Sequence, residues 1–161
     1  MSDAQERTHA AIGELLRSRG LAFREVQHEP TFTSEQSAAA RGEPIEIGGK
    51  ALVVKVDDAF HLFVLSAARV VDANAIRKHL GARRSRFATR EELEQLTGLV
   101  PGCVPPFGRP ILQLDLYADE ALLQQERIAF NAGSLTHSII MRLQDWVTVA
   151  RPTVFAFTKA R

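Results

Sequence analysis

Apolar positions 11, 12, 15 and 16 recur at helical spacing, which predicts a helix over residues 3–19 with Gly20 as its stop. LAFREVQ (21–27) alternates weakly, as an edge or half-buried strand does. TFTSEQSAAARGE (31–43) fits a short helix capped by Thr33 or Ser34 and ended near Gly42. Two β-rich apolar runs follow, KALVVKV (50–56) and AFHLFVLS (59–66), with only Asp57 and Asp58 between them. That spacing predicts a hairpin, although Asp-Asp is a weaker turn signal than Asp-Gly. On its first strand Lys50, Leu52, Val54 and Val56 share one face and Ala51, Val53 and Lys55 the other. Both faces are largely apolar, so the strand is expected to be central.

DANAIRKHL (72–80) reads as a helix opened by Asp72 and closed by Gly81. ATREELEQLTG (88–98) reads as another, with Thr89 and Glu92 in the capping-box relation and Gly98 as stop. PILQLDLY (110–117) alternates as a strand. ERIAFNAG (126–133) and THSIIM (136–141) form a second hairpin through Gly133 and Ser134. LQDWVTVA (143–150) is a helix stopped before Pro152, and TVFAFTK (153–159) a last strand. Helices interleave with paired runs that demand antiparallel neighbours. The expected fold is therefore a mixed, α+β-like α/β domain spanning residues 1–161. It carries a twisted mixed or antiparallel sheet of about six strands flanked by helices, not a doubly wound parallel sheet.

Composition narrows the function classes. The 161 residues are 45% hydrophobic and 24% charged, enough to bury a core, and the formal net charge is +1. A polyanionic partner must therefore be met by a local patch rather than by a global field. No window reaches the length of a membrane span, the first residues lack a signal-peptide stretch, and neither membrane nor DNA is an expected partner. The single Cys103 excludes an internal disulfide framework and suits a reducing cytoplasm. Nucleotide cradles of the GxGxxG or GxxxxGK[ST] kind, HExxH and GxSxG are all missing, so neither cofactor nor metal is expected.

Four local features remain. In IEIGGKALVVKVDD (45–58), Lys50 follows two glycines at the mouth of an apolar strand. There it either snorkels to water or serves as a point charge in a pocket. VPGCVPPFGRP (100–110) holds four prolines and two glycines in eleven residues and must be a stiff loop. In FNAGSLTHSIIM (130–141), His137 shares a strand face with Ile139 and Met141, as a core histidine or a pocket wall would, and Asn131 and Ser134 read as turn residues. Between Ala73 and Arg90 lie Arg77, Lys78, Arg83, Arg84, Arg86 and Arg90 and no acid. That run is either a solvated face or a phosphate-binding patch.

The order GGKALVVKVDDAFHLFVLSAARVVD, LTGLVPGCVPPFG, FNAGSLTHSIIM resembles the YbaK/prolyl-tRNA synthetase-associated family of editing domains over about residues 20–150. The family's Gly-x-x-x-Pro loop corresponds to Gly102–Pro106. The resemblance implies a freestanding trans-editing deacylase that hydrolyses the ester of a mischarged tRNA. The amino acid would be small (Ala, Ser, Thr or Cys) and the tRNA that for proline, with an aminoacyl-tRNA synthetase as a further partner. It implies catalytic roles for Lys50, Gly102 and Pro106, with Lys50 on the 3′-terminal phosphates. It implies substrate contacts from Ser66, Val104, Phe107, Asn131, Gly133 and His137, the last on the pocket wall. Arg83, Arg84 and Arg86 would form part of the tRNA surface. Some members carry a serine or threonine just before the loop proline, whereas this chain has Pro105 and no hydroxyl there. A non-catalytic module that binds tRNA or a synthetase, and a hydrolase of small aminoacyl or nucleotide esters, are the alternatives.

Overall fold

The computed structural model describes Met1–Arg161. In chain order the elements are α1 (Asp3–Ser18), β1 (Phe23–Gln27), α2 (Ser34–Arg41), β2 (Gly49–Val56), β3 (Ala59–Ser66), β4 (Arg69–Val71), α3 (Ala73–Leu80), β5 (Ser85–Phe87), α4 (Arg90–Thr97), β6 (Leu116–Asp119), β7 (Arg127–Asn131), β8 (His137–Arg142), α5 (Leu143–Ala150), β9 (Thr153–Phe155) and β10 (Thr158–Ala160), with short 3₁₀ turns at Ile45–Ile47 and Glu120–Gln124. Thr33 caps α2, Asp72 caps α3, and the Thr89–Glu92 capping box opens α4. Each places a side-chain oxygen on amides that would otherwise lack a partner.

The strands form a mixed α/β architecture. A five-stranded sheet runs β5-β2-β3-β6-β9, a three-stranded antiparallel sheet runs β1-β8-β7, and β4 pairs with β10. In the larger sheet β2 is antiparallel to both β3 and β5, whereas β3–β6 and β6–β9 are parallel. The Asp57–Asp58 turn closes because Asp57 takes a left-handed φ of 51° and its carboxylate accepts from the Arg83 and Arg84 amides, both at 3.0 Å. Aspartate tolerates that conformation better than most residues.

The main core contains Ile12 and Leu16 of α1, Val53, Leu62 and Val64 of the large sheet, Phe130, Ile139 and Met141 of the small one, and Trp146 of α5. A second cluster on the other face of β2 and β3 packs Val54, Val56, Phe63 and Leu65 against Ile76 of α3 and Phe157. Both faces of β2 are thus packed from Leu52 onward, with the half-buried Lys55 the one charged residue there, and Lys50 lies exposed where the strand begins.

Two predicted strands come out differently. Leu112, Leu114 and Leu116 do turn into the core, but residues 110–115 reach it through tight turns. The Ile111 and Leu112 amides both donate to Gly108 O, and β6 starts only where β3 offers a partner, at Leu62↔Leu116. TVFAFTK is two strands in two sheets. The buried Asp119 carboxylate accepts from Phe157 N–H (2.8 Å) and Thr158 Oγ1 (2.6 Å), which pulls the chain from β6 across to β4.

Candidate functional site

An open cavity of about 610 Å³ lies between α2, the start of β2 and the Pro101–Val104 loop. Of the residues implied by the resemblance, Lys50, Gly102, Val104 and Asn131 line it, along with Thr31, Ser37, Arg41, Arg90 and Arg161. Lys50 and Arg90 have no carboxylate partner, whereas Arg161 pairs with Glu35 at 2.8 Å. The Glu35 carboxyl is held below its ordinary range chiefly by that Arg161 hydrogen bond, and the Lys50 charge acts in the same direction. The rim is therefore positive.

The strand itself contributes main chain. Ala67 N–H donates to Gly48 O, and Ala88 N–H donates to Val53 O on the opposite side. In a hairpin these directions alternate, so Ala51 turns its N–H and C=O away from β3. β5 covers β2 only from Val54 to Val56, so Ala51 presents open backbone to the cavity.

The floor is a polar network centred on Arg41, a residue outside the candidates named from the sequence. Arg41 is only 9% exposed. Its Nε donates to Ser138 Oγ (2.9 Å) and its Nη2 to Asn131 Oδ1 (3.0 Å). Burial lowers its pKa to about 10, because nothing of opposite charge offsets the lost hydration. The Arg41 contact fixes the Asn131 amide, since a guanidinium can only donate and the atom facing it must be the oxygen. Asn131 Nδ2 is thereby aimed at Gly102 O, 2.6 Å away. On the far side, His28 Nδ1 donates to Glu29 O at 2.8 Å, and its Nε2 lies 2.8 Å from Ser138 Oγ, which in turn donates to Asn131 Oδ1 at 3.3 Å. A chain of polar contacts thus runs from His28 through Ser138, Arg41 and Asn131 to the loop.

Gly102 has φ +90°, and a Cβ there would lie 3.0 Å from Leu135 Cδ2, so the position requires glycine. Behind it Cys103, Val104 and Phe107 are buried, and Trp146 Nε1 donates to Pro106 O at 2.9 Å. Burial pushes the Cys103 thiol pKa up, away from reactivity. The amides of Gly102 and Val104 donate to no protein acceptor. Two unused donors on a rigid cavity wall can receive developing negative charge. No group of three His, Cys, Asp or Glu side chains converges to hold a metal ion, and no helix is long and apolar enough to cross a membrane.

The other candidate residues lie elsewhere. Pro106 and Phe107 are core residues behind the loop, with Phe107 packed edge-on against Phe130. Ser66 is buried and spends its hydroxyl on Glu46 O, 2.7 Å away. Gly133 (φ +76°) abuts Thr8 and His9 of α1. His137 also faces α1: its ring lies 4.6 Å from that of His9, and its Nδ1 contacts Ser134 and Thr136. The pairing Asn131↔Ser138 explains this, because residues that share the cavity face with Asn131 alternate with His137. His137 is thus outside the cavity, and its pKa is lowered first by burial and then by the neighbouring His9.

Arg86 is paired with Glu92 (2.7 Å), and β5 holds the cluster beside Lys55, about 17 Å along β2 from Lys50. Of the basic run only Arg90 lines the cavity. The signal for Arg41 was in the sequence. SEQSAAAR has no large apolar side chain, so the Ser37/Arg41 stripe that α2 buries had to face a polar site.

Fold and site together define the class: a small α/β domain whose open, cation-rimmed cleft is walled by a rigid Gly-x-x-x-Pro loop. The chain belongs to the aminoacyl-tRNA editing domain family, whose model matches residues 28–149. It is 35% identical over 158 residues to the multifunctional Ser/Thr-tRNA deacylase ProXp-y of Escherichia coli (strain K12), covering 94% of this chain and 93% of that protein. It is also 35% identical over 101 residues to a proline–tRNA ligase of Shouchella clausii (strain KSM-K16), covering 63% of this chain and 18% of the ligase. A crystal structure of a candidate trans-editing enzyme for prolyl-tRNA synthetase superposes with a TM-score of 0.82 at 25% identity, covering 99% of both chains.

Proposed function

We propose that this protein is a single editing domain that hydrolyses the ester linking a wrong amino acid to the 3′ end of a tRNA. The observation that carries the reading is the pair of unpartnered Gly102 and Val104 amides in a cleft whose rim holds Lys50 and Arg90. In the reaction, water adds to the ester carbonyl carbon, the two amides receive the charge that develops on its oxygen, and the bond to the ribose oxygen breaks. Free amino acid and a tRNA with its hydroxyl restored are the products. One such donor is typically worth about 10²–10³ in rate. An aminoacyl ester is already activated, so orientation and dipoles can supply most of what is needed.

The favoured amino acids are serine and threonine. The cleft is lined by Thr31, Ser37, Asn131 and Arg41, which can pair a side-chain hydroxyl that an apolar pocket would leave unsatisfied. The 35% identical relative is named as acting on Ser- and Thr-tRNA. The ligase relative points to tRNA for proline as one carrier and to a synthetase as a partner, and the cytoplasm is the compartment where both are met. The test is a deacylation panel of tRNAs charged with Ser, Thr, Ala and Cys, tRNA for proline among them. Turnover of the Ser and Thr esters is expected. Binding of tRNA without turnover of any ester would make the chain a non-catalytic module of the same fold.

A further inference from the structure

Phe32 is 77% exposed, more than any other large apolar residue of the chain, and it lines the cleft. Its backbone is held firmly. Phe32 N–H donates to Gln36 Oε1 at 2.9 Å, Thr33 on one side caps α2, and Thr31 on the other is buried with its hydroxyl 2.8 Å from Ser37 Oγ. A fixed backbone thus presents a free aromatic face. Of the residues that line the cleft only Phe32 is an exposed large apolar side chain, so the ring is isolated rather than part of the contiguous apolar patch that a protein interface needs.

Lys50 and Arg90 share the cleft with it. An exposed ring beside free cations is the combination that grips single-stranded nucleic acid: bases stack on the ring and phosphates meet the charges. A small hydroxylated amino acid has no use for such a surface, and a nucleobase does.

We infer that Phe32 is the stacking platform for the terminal nucleobase of the RNA 3′ end, which rests on the proposed function and gives the cleft a nucleobase subsite beside its aminoacyl subsite. The phosphates that follow the stacked base would meet Lys50 and Arg90, and the ester would lie toward Gly102.

The test compares wild type with Phe32→Ala, Phe32→Leu and Phe32→Trp. Binding is read by fluorescence anisotropy of a labelled, uncharged RNA hairpin ending in CCA and of the same hairpin lacking the terminal adenosine. Turnover is read with a mischarged tRNA. Expected are a roughly tenfold weaker binding and a roughly tenfold higher KM for both Phe32→Ala and Phe32→Leu, with kcat little changed and Phe32→Trp like wild type. That is the order of one base stacked on a ring. The difference between wild type and Phe32→Ala should vanish on the shortened hairpin. Wild-type binding by Phe32→Ala or Phe32→Leu would overturn the stacking role, and an equal loss on both hairpins would overturn the terminal-base assignment. Should wild type hydrolyse no mischarged tRNA, the deacylase reading fails while the anisotropy comparison still decides the stacking.

Discussion

Replacing Arg41 by methionine separates stability from activity. The guanidinium is buried without a carboxylate, and burial lowers its pKa from the ordinary arginine value to about 10. A base whose folded-state pKa is lowered carries a penalty that is fully present below the folded value and is relieved as pH rises above it. At neutral pH the penalty is about 3 kcal/mol, from 1.36 kcal/mol per pKa unit. Methionine removes the charge and keeps most of the aliphatic stem. Against that relief stands the loss of the bonds to Ser138 and Asn131, about 3 kcal/mol together at the lower end of about 1.5–3 kcal/mol for each bond from a charged donor. Ser138 keeps its contact with His28, and Asn131 keeps Gly102. The two changes nearly cancel, so Tm should move by no more than about 4 °C, given roughly 2–4 °C per kcal/mol in a domain of this size. Activity should respond differently. With no guanidinium on Oδ1, only the 3.3 Å contact from Ser138 Oγ orients that side of the Asn131 amide, so its bond to the Gly102 carbonyl persists but holds the loop less precisely. Misplacing one oxyanion donor is worth about a hundredfold, so kcat/KM on Ser-tRNA should fall by about that factor. Thermal denaturation and steady-state deacylation read the two quantities. A Tm drop beyond about 10 °C would refute the energetic argument, and a folded Arg41→Met with wild-type kcat/KM would refute the positioning of the loop through Asn131.

Lys50→Ala should lower kcat/KM about ten- to a hundredfold with Tm unchanged, because the side chain is exposed and meets only the ligand; deacylation kinetics beside a melting curve check this. Arg90→Ala should raise KM and flatten its salt dependence by about one unit of slope. The Arg83→Ala, Arg84→Ala double variant should change both less, since those residues sit far along β2 from the cleft, and the reverse order of effects would put the RNA across β5. His61 Nδ1 is buried without a partner, 3.9 Å from Asp115, and burial lowers its pKa although Asp115 opposes this. Its neutral form is the stable one in the fold, so stability is complete above about pH 6.5 and is lost as pH falls below it. His61→Phe should therefore shrink the fall in Tm between pH 7.5 and 5.5, and an unchanged fall would assign the acid sensitivity to other groups such as His137.

Local chemistry was legible in the sequence wherever one residue type decides the backbone. Thr33, Asp72, Thr89 and the glycines at 42, 81 and 98 set helix ends that the structure keeps. Alternation in Leu112, Leu114 and Leu116 gave the right buried side chains and the wrong backbone, because burial fixes where a side chain goes but a strand also needs a partner. β4 and β5, three residues each, carry too little pattern to be read, and the crossing at Phe157 depends on Asp119, nearly forty positions away. The site divides in the same way. Lys50, Gly102, Val104 and Asn131 reach the cleft. His137 does not, although it is adjacent in sequence to Ser138, which faces the polar floor, because one step along a strand reverses the face.

Trp146 is the chain's single tryptophan, and its indole N–H is tied to the carbonyl of Pro106, at the end of the loop whose beginning walls the cleft. Indole emission responds to hydrogen bonding and to local polarity. The buried ring therefore reports on the Pro106 end of that loop without any label, from a position outside the cavity. If the loop is as rigid as its prolines and its two anchors require, the emission maximum stays fixed as the cleft fills. A spectral shift on saturation would reveal a loop that yields to its ligand, and would make the stiffness of Gly102–Pro106 a property of the empty protein alone.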